Sequence, residues 1–378
     1  MNKKILFQKI IFFSVLLILA SILSSCVSAP KDTSSKIELN DAEAILSSMS
    51  TEQKVAQLFI ITPEQLTKSC VKSVPRRYYK DFEKCPVGGF ILFYKNIKNP
   101  KQLKKFTSRL KNVSVVPPIL AVDEEGGRVA RLARSKHFSL PKYNSMQAVG
   151  ETGLSQNAFS AGQTIGGYLY DYGFDLDFAP VCDVNTNPEN IVIGDRAFGS
   201  DPVLVSEMSG AFLNGLHSKG IKGCLKHFPG HGDTKGDTHL DYVSVIKDWE
   251  ELKTCELIPF VDNLKQADCV MVAHVTCLAI DDEVPASLSC ELITAKLRQE
   301  LDYQGVIVTD GLNMGAIEKN YGSGEACVLA FEAGNDILLM PNDFNAAYKA
   351  VLSAVQSNRI SMSRLDQSVL RILKLKGF

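Results

Sequence analysis

Short apolar runs alternate along the chain with longer segments whose apolar residues recur at helical spacing. From about residue 40 onward, eight runs rich in Val, Ile, Leu and Phe predict strands. These predicted strands are 55–62, 87–93, 118–123, 175–180, 221–226, 268–274, 305–310 and 336–341. Helices are predicted between them and at the end, at 100–112, 154–172, 202–219, 249–266, 290–301, 324–334, 344–358 and 363–374, the last with Ser363 as its N-cap.

Near-continuous apolar strands, each followed by a helix, are typical of a parallel sheet that is buried on both faces. We therefore predict an α/β fold, a single (β/α)8 TIM-type barrel over residues 40–378. A doubly wound open sheet is the alternative that this pattern leaves open. No linker rich in Pro, Ser or Gly divides the segment, so one domain is expected.

The first 26 residues follow a different pattern. Three lysines precede an apolar run at 10–23, and Leu-Ser-Ser-Cys follows at 23–26. This arrangement indicates a secretory signal peptide, since a membrane span would need about 20 apolar residues. Leu-Ser-Ser-Cys resembles a bacterial lipobox, which implies lipidation of Cys26; a plain signal peptide with a chance cysteine is the alternative. Residues 27–39 predict a flexible tether, so we expect a protein anchored by lipid to a membrane of the cell envelope.

Composition narrows the possible partners and excludes several classes of protein. Hydrophobic residues make up 45% and charged residues 22% of the chain, as in globular proteins, which excludes disorder, collagen and coiled coil. Lys plus Arg number 41 against 42 Asp plus Glu, without a dense basic run, so we expect no nucleic-acid partner. We also expect a monomer. Among ten cysteines only Cys70 and Cys85 flank a polar loop, and whether they are bridged stays open.

Polar and titratable residues cluster where the predicted strands end. Active sites of barrels lie at the carboxyl ends of the strands. A cluster of histidines and carboxylates at these ends fits either a metal site or a glycosidase site, and spacing alone does not separate the two. The clustered residues are Asp123–Arg128, Lys226–Asp233, Asp237, His239, Asp241, His274 and Asp310.

Four ordered motifs carry a resemblance to a known family. They are Asp-Glu-Glu-Gly-Gly-Arg-Val-Ala-Arg at 123–131, Gly-Asp-Arg-Ala-Phe-Gly-Ser-Asp-Pro at 194–202, Lys-His-Phe-Pro-Gly-His-Gly-Asp-Thr at 226–234 and Val-Thr-Asp-Gly-Leu-Asn-Met at 308–314. Together they resemble glycoside hydrolase family three, in its β-N-acetylglucosaminidase branch. The resemblance extends over about residues 45–341.

The resemblance implies a role for each matching residue. Asp310 takes the place of the catalytic nucleophile, and His239 that of the acid/base, held by Asp237. We expect no metal and no cofactor, because the branch is metal-free. The residues that correspond to those gripping the sugar are Asp123, Arg131, Arg196, Lys226 and His227.

By this resemblance the protein is expected to be a retaining exo-β-N-acetylglucosaminidase that acts on peptidoglycan fragments through a glycosyl-aspartate. Larger family members carry a second domain, and because the sequence ends at Phe378 we expect the acid/base within the barrel. The alternatives are a family-three β-glycosidase of other sugar specificity, a catalytically silent sugar-binding lipoprotein, and a metal-dependent hydrolase built on His227, His231 and His239.

Several neighbouring residues keep open roles. Three glycines within 230–236 predict a loop that is free to move. Glu124 and Glu125 are candidates for a second carboxylate or for a structural role in the following turn. His231 is expected to shape its loop by hydrogen bonding, and His274 either lines the pocket or packs beneath it.

Overall fold

The computed structural model describes residues 41–234 and 243–378. No helix within these two ranges is long and apolar enough to cross a membrane. The α-helices are α1 Ala42–Ser48, α2 Thr51–Gln57, α3 Pro63–Thr67, α4 Tyr79–Lys84, α5 Pro100–Lys111, α6 Met146–Gly150, α7 Ser155–Asp171, α8 Pro202–His217, α9 Trp249–Lys253, α10 Ile258–Asn263, α11 Gly315–Glu318, α12 Ser323–Ala333, α13 Phe344–Gln356 and α14 Met362–Leu375. A wider π-helix spans Glu291–Glu300.

Twelve strands form one large parallel sheet and two small ones within the described residues. The strands are β1 Phe59–Ile61, β2 Gly89–Ile91, β3 Ile119–Val122, β4 Glu124–Gly126, β5 Val129–Ala130, β6 Leu176–Asp177, β7 Lys222–Phe228, β8 Val243–Val245, β9 Cys269–Val272, β10 Val275–Cys277, β11 Val306–Thr309 and β12 Leu338–Leu339. β4 and β5 form an antiparallel hairpin, and β8 pairs in parallel with β10.

The large sheet is an eight-stranded, nearly closed barrel. Its order is β11-β9-β7-β6-β3-β2-β1-β12, and every pair is parallel. A parallel bridge from Val308 to Ile337 joins the two ends of this order. Helices cover the outside, as in a TIM-like barrel. The predicted α/β barrel is therefore confirmed at this level, and the alternative of an open sheet is wrong.

All eight predicted strands are present, seven of them with shorter bounds, whereas β7 continues two residues beyond its predicted end. The predicted strand 55–62 is wrong in its first part, because residues 55–57 end helix α2. That helix begins at a capping box in which Ser50 and Gln53 bond each other's backbone N–H groups. Val55 is fully buried against the barrel, so an apolar helix face runs directly into an apolar strand, and a run of apolar residues does not reveal the boundary.

Two helix predictions also need correction. The segment 249–266 is not one helix but α9, α10 and a short turn, because Pro259 cannot continue a helix and begins a new one. The last helix begins earlier than predicted: Ser361, not Ser363, accepts the capping hydrogen bond from the N–H of Arg364. Cys70 and Cys85 are free thiols, so the pairing left open is not formed.

Candidate active site

A cavity of about 570 Å³ lies at the carboxyl ends of the barrel strands. It collects six of the side chains predicted from the sequence, although they come from distant parts of the chain. Strand ends β3, β7 and β11 supply most of them, as a barrel topology requires. The predicted residues that line the cavity are Asp123, Arg131, Arg196, Lys226, His227 and Asp310.

Lys226 is the centre of a buried network of charges. Its Nζ lies 2.6 Å from Oε1 of Glu125 and 3.1 Å from Oδ1 of Asp123. Arg196 donates from Nε and Nη2 to the two oxygens of Glu125, at 2.8 Å each. Arg131 extends the network, with Nη2 3.2 Å from Oδ2 of Asp123. Three cations and two carboxylates thus line one wall of the cavity in fixed positions.

Contacts between opposite charges keep the groups of this network ionised although they are buried. Burial alone would raise the pKa of Glu125, but Arg196 and Lys226 hold it well below its ordinary value. Burial would likewise lower the pKa of Lys226, but Glu125 and Asp123 raise it. Sequence reasoning gave Glu125 only an undecided role; the signal available was its position two residues after a strand end.

Glu124 points away from the cavity and serves the hairpin β4–β5. Its carboxylate accepts hydrogen bonds from the N–H groups of Leu132 and Ala133, at 2.8 Å each, and from the hydroxyl of Tyr168 at 2.9 Å. Burial raises the pKa of Glu124, against the effect of these donors. Glu124 therefore fixes the segment that carries Arg131, whose own N–H it also accepts.

His227 is oriented by Asp183, a residue that sequence reasoning did not single out. Nδ1 of His227 lies 2.7 Å from Oδ2 of Asp183, and Nε2 lies 3.2 Å from Nη2 of Arg196. Since Arg196 can only donate, Nε2 is the acceptor and Nδ1–H donates to Asp183. Burial alone would raise the pKa of Asp183, but its contacts with His227 and His231 lower it.

The glycine-rich segment after β7 is packed in its described part. Oδ1 of Asp183 accepts the N–H of His231 at 2.7 Å, and Nδ1 of His231 lies 2.7 Å from the hydroxyl of Thr234. A Cβ on Gly232 would lie 1.9 Å from the carbonyl oxygen of Val184. Close backbone packing holds residues 230–234 in place, and His231 shapes this turn as expected. The rest of the loop that was expected to move lies outside the described residues.

Asp310 stands at the end of β11, half-buried in the cavity wall. Its Oδ1 accepts the N–H of Gly311 at 2.7 Å. Burial alone would raise the pKa of Asp310, but His227, His274, the Gly311 N–H and Lys226 together lower it. The carboxylate is therefore ionised at neutral pH, which is the form that can act as a nucleophile.

His274 packs beneath Asp310 and does not line the cavity. It is fully buried, with Nδ1 2.6 Å from the hydroxyl of Ser287 and Nε2 donating to the carbonyl of Gly311 at 3.0 Å. Because it holds the residue that follows Asp310, His274 supports the position of that carboxylate from below.

Several sequence predictions lie outside the described residues: the signal peptide and tether over 1–39, Cys26 among them, and Asp237, His239 and Asp241. The chain on either side of 235–242 is described and is joined by Lys247. Nζ of Lys247 lies 3.0 Å from Asp233 and 2.5 Å from the buried Glu256. Within the described ranges, no group of three His, Cys, Asp or Glu side chains is arranged to hold a metal ion.

The chain is similar to a known family over most of its length. The model of the glycosyl hydrolase family 3 N-terminal domain matches residues 50–375. Beta-hexosaminidase A of Pseudoalteromonas piscicida is 32% identical over 339 residues, 82% of this chain and 56% of that protein. A beta-hexosaminidase of Tolumonas auensis is 34% identical over 273 residues, 72% of this chain and 80% of that protein.

A solved structure of the same family is also similar to this chain. A glycoside hydrolase family 3 beta-N-acetylglucosaminidase from a Paenibacillus species is similar with a TM-score of 0.81 and 37% identity, over 87% of this chain and 62% of that one. This chain thus spans little more than half of the Pseudoalteromonas protein and less than two thirds of the Paenibacillus protein. The similarity extends over the barrel that carries the cavity.

Proposed function

The chain belongs to glycosyl hydrolase family 3, and we propose that it is a retaining exo-β-N-acetylglucosaminidase. One observation carries the proposal: the ionised Asp310 faces the same cavity as a fixed network of cations and carboxylates. Such a network supplies hydrogen-bond donors and acceptors for several hydroxyls of one sugar ring, and the nearby carboxylate can attack the anomeric carbon of that ring.

The proposed reaction has two steps. Asp310 attacks the anomeric carbon, the glycosidic bond breaks, and the leaving oxygen takes a proton from the acid/base. Water then gives its proton to the same residue and releases the sugar from Asp310 with retained configuration. The lowered pKa of Asp310 suits this role because only the ionised carboxylate can form the ester.

We assign the acid/base to His239, oriented by Asp237, on the strength of the sequence motif. An imidazole has an ordinary pKa near 6.5, so it can both give and take a proton at neutral pH. As a neutral base it also avoids repulsion with the ionised Asp310. On either side of the segment that carries His239, Lys247 pairs with Asp233 and Glu256 and so links the described residues that flank it.

Asp310→Asn tests the nucleophile. We expect kcat to fall by about a thousandfold or more while sugar still binds, since the amide cannot form the ester but keeps the shape of the cavity. Asp302→Asn, at an exposed carboxylate, is the matched control. Near-normal rates in Asp310→Asn, or inversion of configuration in the first product of the wild type, would refute the assignment.

His239→Ala tests the acid/base. Substrates with poor leaving groups should lose more activity than activated aryl glycosides, because only the former need strong protonation. Equal losses on both would count against the acid role. Rates on aryl N-acetylglucosaminide against aryl glucoside separate the proposed specificity from the alternative of a family-three β-glycosidase of other sugar specificity.

Peptidoglycan fragments are the proposed natural substrate, and the cell envelope is the proposed location. Both depend on lipidation of Cys26 after removal of a signal peptide, with residues 27–39 as tether. Cys26→Ser should release the protein from membranes, and unaltered fractionation of that variant would contradict the anchor. A metal-dependent hydrolase built on His227, His231 and His239 would lose activity on exhaustive chelation, whereas the proposed enzyme would keep it.

A further inference from the structure

A second cavity of about 580 Å³ adjoins the first. Both are lined by Phe93, Asn313 and Met340, which form the wall between them. The second cavity lies over the carboxyl ends of β1, β2 and β12, and β12 is the neighbour of β11 in the barrel. It therefore begins beside the strand that ends in Asp310, and its volume is within the range of small-molecule sites, about 300 to 1,000 Å³.

Tyr94 offers an aromatic surface at the rim of this second cavity. The side chain is 46% exposed. Its hydroxyl donates to the carbonyl of Ala130 at 2.7 Å, and the guanidinium carbon of Arg131 lies 5.8 Å from the ring centroid. The ring is thus held in place and not merely left in solvent.

Hydrogen bonds of the buried Asn96 hold the backbone that carries Tyr94. Asn96 is fully buried; its Oδ1 accepts the N–H of Phe93, and its Nδ2 donates to the carbonyl of Val71, at 2.8 Å each. Because these bonds exist before any ligand arrives, little conformational freedom remains to be lost on binding. The ring of Tyr94 is therefore in position before a ligand binds.

The polar groups of the second cavity suit a neutral ligand with hydroxyl or amide groups. Lys95 is paired with Glu64 at 2.5 Å, so these two charges compensate one another. Amide side chains supply the remaining polarity, including the exposed Asn313 between the two cavities. Within the described parts of the chain, the amide of Asn313 forms no hydrogen bond, so it is available to a ligand.

We propose that the second cavity is the leaving-group subsite. It takes the neutral sugar to which the terminal N-acetylglucosamine is β-linked, with Tyr94 against one face of the ring and Asn313 beside the glycosidic bond. The inference rests on the proposed function, because a leaving-group subsite has meaning only if the first cavity binds the sugar that is removed.

The test compares two substrates that differ only in the leaving group. N-acetylglucosaminyl fluoride releases a single atom, which cannot reach the second cavity, whereas the β-linked disaccharide of N-acetylglucosamine fills it. In Tyr94→Ala the ratio of kcat/KM for disaccharide over fluoride should fall about tenfold, the size of one aromatic contact. Tyr94→Phe keeps the ring and should keep this ratio within about twofold. Tyr170→Ala, at a tyrosine 66% exposed on α7, is the control and should not change it.

Asn313→Ala is an independent test. Because Asn313 is exposed, the substitution should not impair folding, and it should lower the same ratio about threefold. Equal losses on both substrates in Tyr94→Ala would mean that the ring merely supports Arg131, and would overturn the subsite alone. Failure of the wild type to hydrolyse the fluoride would overturn the proposed function, and the subsite with it.

Discussion

Glu125→Gln is the substitution that most directly tests the buried network. The change removes one negative charge that Arg196 and Lys226 share, while the shape of the side chain is kept. Breaking a buried ion pair leaves an uncompensated charge, which typically destabilises by about 3 to 5 kcal/mol. Lys226 retains Asp123 at 3.1 Å, so we expect the lower end, about 3 kcal/mol and a fall in Tm of about 4 °C.

Activity should fall as well, because the two cations lose the carboxylate that aligns them. Displacing groups that position a substrate by about 1 Å can lower rates about a hundredfold. We expect a loss of about tenfold to a hundredfold in kcat/KM for an aryl N-acetylglucosaminide, seen mainly in KM.

The stabilising effect of Glu125 should depend on pH in a definite direction. The pKa of Glu125 is lowered by Arg196 and Lys226, so its contribution is complete above the unfolded value near 4.3 and is lost as the pH falls towards the folded value. The difference in Tm between wild type and Glu125→Gln should be constant from about pH 5 to 8 and should narrow below about pH 4.

Asp336→Asn is the matched control for general destabilisation. This fully buried carboxylate lies at the opposite end of the barrel, 2.8 Å from Arg298 and 3.2 Å from Arg371. It should lower Tm similarly while leaving KM near that of the wild type. Equal effects of both variants on KM, or an unchanged Tm in Glu125→Gln, would refute the reasoning.

Three further predictions concern single contacts. Asp183→Asn should reverse the protonated nitrogen of His227 and set an N–H against the neighbouring arginine, which lowers kcat/KM about tenfold; an unchanged kcat/KM would refute this. Ser361→Ala should lower the free energy of unfolding by about 1 kcal/mol in urea, and Ser363→Ala by much less. Burial lowers the pKa of Lys376 to about 7, so the folded state binds fewer protons and stability should rise from about pH 7 to 10; Lys376→Met should abolish that rise.

The barrel was predictable because its strands are buried on both faces and so consist of uninterrupted apolar runs. The boundaries of its elements could not be predicted where an apolar helix face runs directly into an apolar strand, as at Val55 in α2. The capping serine of α14 was misplaced by two residues, since Ser361 and Ser363 both fit the pattern and only the backbone conformation distinguishes them. Likewise, Pro259 divides a segment whose apolar spacing alone favours one helix.

The candidate site was largely predictable from strand ends and motifs, but its supporting residues were not. Glu124 and Glu125 are adjacent, both acidic and both buried, yet one serves a hairpin and the other the cavity. Alternation along an extended backbone separates them, and a sequence does not reveal which of the two faces inward. Asp183 follows a strand end too, but its role depends on a contact with residues 44 and 48 positions away.

The closing strand β12 has a consequence for how the chain is synthesised. It pairs with β1 at Phe59 and Ile60, near the start of the barrel, and the adjoining Ile337 bridges to β11. Until the ribosome has released this segment, the growing domain carries two unpaired strand edges, which are open to wrong pairing with other nascent chains. We therefore expect wrong pairing to be most frequent just before β12 becomes available, and substitutions that weaken β12 to lower the yield of folded protein first.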